Sequence, residues 1–212
     1  RALVAAKAGP DAQRILGELE PALASLGGDA KLPLLQLAMP ALRNLPPAAL
    51  APFLDTLDEL VHADGKVSTF EFALQKILTR TLALGQKHGT AVVQIYSFTA
   101  VTDEINVVLS ALAHTASNGG LDAAGAFAAG ALQLKLLDGK LALLAPAACD
   151  FVRLDAALDK LATASGPIKQ RTLFACAHIV GADGTILIAE AELLRAVAAA
   201  LDCPMPPLLA AA

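Results

Sequence analysis

The chain contains no tryptophan, a single tyrosine and seven phenylalanines, so aromatic residues make up only 4% of its 212 positions. Aromatic and β-branched side chains build most strands, whereas Ala and Leu dominate here, which argues against an all-β protein. Cysteine is equally sparse. Cys149, Cys176 and Cys203 are widely spaced and odd in number, which speaks against a disulfide framework and leaves no CxxC-type zinc site. They read as reduced, mostly buried thiols of a cytoplasmic compartment, acting as small core hydrophobes. Charge is scarce as well: 17% of residues, with 16 Lys and Arg against 20 Asp and Glu, for a net −4. No basic surface fit for a duplex is visible, so nucleic acid is excluded as the expected partner. Long uncharged apolar runs are missing too. The most apolar stretch, Leu121 to Cys149, is interrupted by Lys135, Asp138 and Lys140, and so does not read as a membrane span. The chain opens on Arg1 with no charged-then-apolar signal, and the expectation is a piece of a longer protein.

What is present is 56% hydrophobic, with a mean hydropathy of +0.58. A disordered chain lacks the apolar surface to offset its ordering entropy, so this composition excludes one. The abundance of Ala, Leu, Glu, Lys and Gln predicts an all-α helical bundle. Residues 1–30 read as an N-terminal helix and linker, and residues 31–212 as a helical domain.

Helix punctuation places the elements. Pro10-Asp11 opens a first helix that closes before Gly27-Gly28. A second runs over about 32–45, with a kink or break expected at Pro40. Pro46-Pro47 stops it, and a third spans about 48–63. Ser68 and Glu71, three apart, form a capping box for a fourth ending near Leu84. Val92 to Phe98 (VVQIYSF) has strand propensity but no evident strand partner, and is assigned to helix. Thr102 or Asp103 caps a helix ending before Asn118-Gly119-Gly120. Asp122 opens an Ala- and Gly-rich helix, and helices over about 150–164, 167–181 and 188–201 complete the chain before Pro204, Pro206 and Pro207.

One internal similarity stands out. LDELVHADGKVSTFEFALQKIL, from Leu57, matches FACAHIVGADGTILIAEAELLRAV, from Phe174, in pattern. Each reads helix, Ala-Asp-Gly, a β-branched residue two positions on, a Glu, and helix, giving repeat units of about 48–84 and 168–201. Asp64 aligns with Asp183, Gly65 with Gly184, Val67 with Ile186 and Glu71 with Glu190. This spacing coincides with the back half of an EF-hand loop, where Gly is sixth and a bidentate Glu twelfth. The first and third loop positions, however, are Leu60 and His62, or Ile179 and Gly181, so two carboxylate ligands are missing from each loop. A weak divalent-cation site pooling Asp64, Glu71, Asp183 and Glu190 is the functional reading, on the condition that the two turns meet in space. The structural reading is that Asp-Gly makes an ordinary turn, Glu71 completes the capping box, and Glu190 complements a helix macrodipole.

The doubled Ala-Asp-Gly…Glu pattern resembles the TerB-like (tellurite-resistance protein B-like) helical domain. Two further stretches, LPLLQLAMPALRNLPPAALAPFLDTLDELVHADGKVSTFEFALQKIL from Leu32 and AEAELLRAVAAALDCPMPPLL from Ala189, resemble the C-terminal region of bacterial membrane-bound zinc metallopeptidases of the HExxH type. The resemblance covers about Leu32 to Leu209. It implies a non-catalytic regulatory or protein-interaction region on the cytoplasmic side of the bacterial inner membrane. The implied partner is a protein or a protease substrate, and the zinc and the peptidase activity belong to the parent protein's protease region. HExxH needs two histidines and a Glu on one helical face. None of His62, His88, His114 and His178 is followed by Glu, so no catalytic residue carries over. A divalent-cation-responsive module is the alternative function.

Remaining constellations are weaker. Cys176 and His178, two apart, do not share a helical face. His62, at a helix end, suits capping or solvent. Neither a nucleophile elbow nor a phosphate loop occurs. Phe70 and Phe72 flank Glu71 and so diverge, one toward the core and one less buried. Leu208 and Leu209, after the prolines, read as docked on the body or exposed for a partner.

Overall fold

The computed structural model describes residues 2–86, 93–117 and 122–205, and among them every regular element is helical. The α-helices are α1 (Ala2–Ala24), α2 (Gly28–Arg43), α3 (Pro47–Val61), α4 (Thr69–Gln86), α5 (Thr102–Ala116), α6 (Ala123–Ala131), α7 (Phe151–Ala162), α8 (Gly166–Val180) and α9 (Ile188–Ala200). Short 3-10 turns occur at Phe98–Val101, Lys135–Leu137 and Pro146–Ala148. Leu208, Leu209 and the Asn118-Gly119-Gly120 turn lie outside the described residues.

Local chemistry sets most of the boundaries. Asp122 and Asp150 each accept a hydrogen bond from the backbone N–H three residues on, Gly125 at 2.7 Å and Arg153 at 2.9 Å, and so start α6 and α7 as N-caps. Pro47 fits the first turn of α3, where its missing N–H is not needed. α1 is two helical pieces meeting at Gly9, whose φ of 83° and ψ of 175° break the spiral immediately before Pro10.

Three expectations are corrected. α2 does not break at Pro40 but runs on to Arg43. Pro40 and Gln36, whose carbonyl loses its partner, both lie on the exposed face, while Leu32 and Met39 are buried on the other. The segment around Ile95 is not helical. Gln94 N–H donates to the Thr163 carbonyl at 2.8 Å and Ser165 N–H to the Ile95 carbonyl at 2.8 Å, so the loop between α7 and α8 supplies the missing partner as an isolated parallel bridge. Finally, neither Thr102 nor Asp103 caps α5. Its N-cap is Val101, and the helix is entered from the preceding 3-10 turn.

The main core surrounds α5, which packs against α6, α7, α8 and α9. Ile105, Val108, Leu109 and Leu112 of α5 are fully buried with Leu154, Leu158, Leu161, Ile168 and Ile179. Cys149 and Cys176 are buried and Cys203 partly so, all three as free thiols. A smaller cluster of Met39, Leu50, Leu78 and Leu82 seals α2 and α3 onto α4. One face of α5 is polar at helical spacing. Asn106 Oδ1 accepts from Ala142 N–H (3.0 Å), Ser110 Oγ from Leu144 N–H (3.0 Å), and His114 Nε2 donates to the Leu144 carbonyl (2.7 Å). Residues i, i+4 and i+8 thereby satisfy backbone groups of the exposed to half-buried segment 141–145, which lies against the outside of the core.

α4 and α9 pack extensively along each other, and they run parallel. Near their starts, Phe70 of α4 and Glu192 of α9 both face Lys31 of α2. Near their far ends, Arg80 of α4 donates to Asp202, just beyond α9, at 3.1 Å from Nε. Buried Lys76 of α4 ties this pair to α7 through Asp155 (2.7 Å) and Asp159 (2.6 Å).

Close approach of α6 to α8 depends on Gly130. A Cβ there would stand 2.5 Å from Ile179 Cγ1 and 2.9 Å from the Ala175 carbonyl oxygen. Because the second contact is backbone, rotamer changes cannot relieve it. Gly130→Ala is expected to lower unfolding stability by about 1–3 kcal/mol, measured by urea denaturation. An unchanged midpoint would contradict this packing.

Candidate functional site: the two Asp-Gly turns

The segments between α3 and α4 and between α8 and α9 carry the same backbone hydrogen bonds, residue by residue. Ala63 N–H donates to the Leu60 carbonyl at 3.3 Å, as Ala182 does to Ile179 at 3.2 Å. Gly65 donates to His62 at 3.1 Å, as Gly184 does to Gly181 at 3.3 Å. Both glycines are left-handed, with φ of 74° and 80°, a region where a side chain would be strained. Asp64 Oδ1 accepts from Lys66 N–H and Asp183 Oδ1 from Thr185 N–H, each at 2.9 Å. These are Asx turns, in which a short carboxylate replaces a backbone acceptor.

The glutamates close each turn onto the following helix. Ser68 N–H donates to Glu71 Oε2 at 2.8 Å, and Leu187 N–H donates to Glu190 Oε2 at 2.6 Å. In the first turn the box is reciprocal, with Glu71 N–H donating to Ser68 Oγ at 3.2 Å. Leu187 has no side-chain acceptor, so the second turn keeps only the glutamate half. Val67 and Ile186 tuck against the main core from their respective turns. Phe72 is buried and stacks on Phe151 at 4.8 Å. Phe70, less buried, lies under Lys31 Nζ at 5.4 Å.

Because α4 and α9 are parallel, both turns stand at one end of the bundle. The first turn of α2 stands against them, with Gly28 beside Ile188 and Lys31 between Phe70 and Glu192. Sharing an end does not bring the carboxylates together. Among the described residues no group of three or more His, Cys, Asp or Glu side chains is placed to share an ion, so Asp64, Glu71, Asp183 and Glu190 are not pooled around one point. Each has at least one oxygen engaged by its own turn. Asp64 and Asp183 are exposed, whereas Glu190 is buried. Burial pushes the Glu190 carboxyl above the ordinary carboxylate range, the Leu187 N–H opposes the shift, and Asp183 adds to it. Glu192, also buried, is raised by desolvation and lowered by Lys31 and Arg195.

His88 lies outside the described residues, and the other histidines and cysteines are similarly accounted for. His62 Nδ1 lies 2.8 Å from the Asp58 carbonyl at the end of α3. His178 packs edge-on against Phe174 at 4.6 Å, and Cys176, two residues before it, is fully buried. The α5 stripe of Asn106, Ser110 and His114 escaped the sequence reading. Its i, i+4, i+8 spacing was the available signal, but its partner is 30–36 residues away along the chain. No family model, curated protein or solved structure matches the chain.

Protons act on the second turn through Glu190. Folded Glu190 binds its proton more tightly than the unfolded chain does, so this group favours the folded state increasingly as pH falls toward its unfolded value of 4.5, and opposes it at neutral pH. Glu190→Gln keeps an oxygen acceptor for Leu187 N–H and removes the charge. Its melting temperature is expected to equal or exceed the parent's at neutral pH, with the difference shrinking on acidification. A variant whose deficit is largest at neutral pH would contradict the assignment.

Proposed function

We propose that the chain is a non-catalytic protein-interaction domain, set beside a membrane-bound zinc metallopeptidase on the cytoplasmic side of a bacterial inner membrane. The protease setting rests on the resemblance carried by the stretches from Leu32 and from Ala189. The interaction role rests on one observation, the surface of α1. No residue of this helix is buried. Leu16 on its inner side is half-buried, and Lys7 pairs with Glu59 of α3. Beside that contact, Ile15, Leu19 and Leu23, at i, i+4 and i+8, stand 46%, 52% and 41% exposed. The helix therefore carries a wide apolar face and uses half of it internally.

An isolated helix is marginal in water, and most helical stability comes from packing an apolar face. A partner helix or extended segment laid along Ile15, Leu19 and Leu23 supplies the missing burial. Recruiting a protein substrate there would raise its local concentration near the protease active site without any chemistry in this chain. The carboxylates of the turns play no part in this reading.

The coding sequence upstream of Arg1 is expected to hold hydrophobic spans and an HExxH motif. In the full-length protease, Ile15→Asp with Leu19→Asp is expected to slow cleavage of a folded protein substrate roughly tenfold, as loss of one strong anchor would, and to leave cleavage of a short peptide unchanged. Because both side chains are exposed, the melting temperature should barely move. Equal loss on protein and peptide would place the defect in the protease, and no loss on either would sink the recruitment reading.

A further inference from the structure

The segment after α6, LQLKLLDGK over 132–140, contains four leucines, and the structure splits them into two pairs. Leu134 and Leu137 are buried in the main core, whereas Leu132 and Leu136 stand 70% and 76% exposed. The turn that holds them apart is closed by backbone hydrogen bonds from Leu134 N–H to Ala131 (2.9 Å), Leu137 to Leu134 (2.8 Å) and Lys140 to Leu137 (2.9 Å). Gly139, at φ 69°, completes it. The exposed leucines are thus fixed outward by the inward pair and do not fold back onto the body.

They border a groove of about 490 Å³, together with Phe98, Leu134, Lys135 and Arg171. Lys135 and Arg171 are exposed, and among the described residues neither is in an ion pair. The groove lining carries no acid, although Asp138 is exposed in the same turn. Apolar side chains that project, with unpaired cations beside them, match the layering of a phospholipid surface, where acyl chains lie beneath anionic phosphates. Leucines or cations alone hold a protein at a bilayer only weakly, and this turn offers both signals together.

We propose that the turn after α6 is a docking site for an anionic phospholipid surface, with Leu132 and Leu136 entering the headgroup region and Lys135 and Arg171 meeting phosphates. This site does not depend on α1. The test is sedimentation of the 212-residue chain with vesicles of phosphatidylglycerol and phosphatidylcholine in equal parts, and with phosphatidylcholine alone. Binding is expected to the mixed vesicles and to weaken as salt is raised. Leu132→Asp with Leu136→Asp, and separately Lys135→Glu with Arg171→Glu, should each lower the vesicle-bound fraction about tenfold. All four side chains are exposed, so circular dichroism should be unchanged in both variants. Ile15→Asp with Leu19→Asp should bind vesicles as the parent does, which separates this site from the recruitment face of α1. Absence of binding to mixed vesicles, binding that both variants retain, or capture of an acidic apolar peptide in place of vesicles would each overturn the proposal.

Discussion

The parallel pairing of α4 with α9 is the contact on which the rest of the molecule depends. It joins the α1–α3 segment to the helices gathered on α5, and it sets both Asp-Gly turns at one end of the bundle. Parallel helices align their macrodipoles unfavourably, so two positive N-terminal ends stand side by side. Glu71 in the first turn of α4 answers that directly, while Glu190 at the start of α9 contributes its hydrogen bond to Leu187 N–H. At the opposite end Arg80 bridges to Asp202, which adopts a left-handed φ of 54° just after α9. Lys169 approaches the same carboxylate at 3.8 Å, bringing in α8. Electrostatics at the two ends and apolar burial between them thus fix one helix pair in register.

Within that frame the Asp-Gly turns are joints. Each reverses the chain from one helix into the next with the same hydrogen bonds, and each spends carboxylate oxygens on its own backbone. Their acidic residues are thereby accounted for by folding. Among the apolar surface that folding leaves exposed are the outer stripe of α1 and the outward leucines of the turn after α6. Forgone burial at these positions is a standing cost in a free molecule. On the proposed reading one surface takes a protein and the other a lipid bilayer, an arrangement suited to a domain that serves a membrane-embedded enzyme.

Much of the fold was legible because its signals are local. Asp122 and Asp150 cap the helices they precede, Pro46-Pro47 separates α2 from α3, and the Ser68–Glu71 box forms as its spacing requires. The turn hydrogen bonds likewise follow from Asp-Gly and a glutamate seven residues beyond the Asp. Errors arose where a distant segment decided. Ile95 is extended because the backbone near Thr163 and Ser165 lies beside it, a partner about seventy residues on. Pro40 is tolerated because it and Gln36 lie on the exposed face of α2 while Leu32 and Met39 are buried, a fact of α2 packing on α4 and α9. Whether the turns meet was undecidable from spacing, since it depends on the direction of α9 relative to α4 and on α2 standing against both.

The claim that the two turns are structural joints can be tested by titrating Ca²⁺, Mg²⁺ and Mn²⁺ into the chain while following its melting temperature. A ligand that binds only the folded state must raise it. Carboxylates already committed to their own turns predict a melting temperature that does not rise with any of the three ions. A saturable rise that disappears when Asp64 and Asp183 are both replaced by Asn would contradict the account, and would make these turns a cation-responsive site.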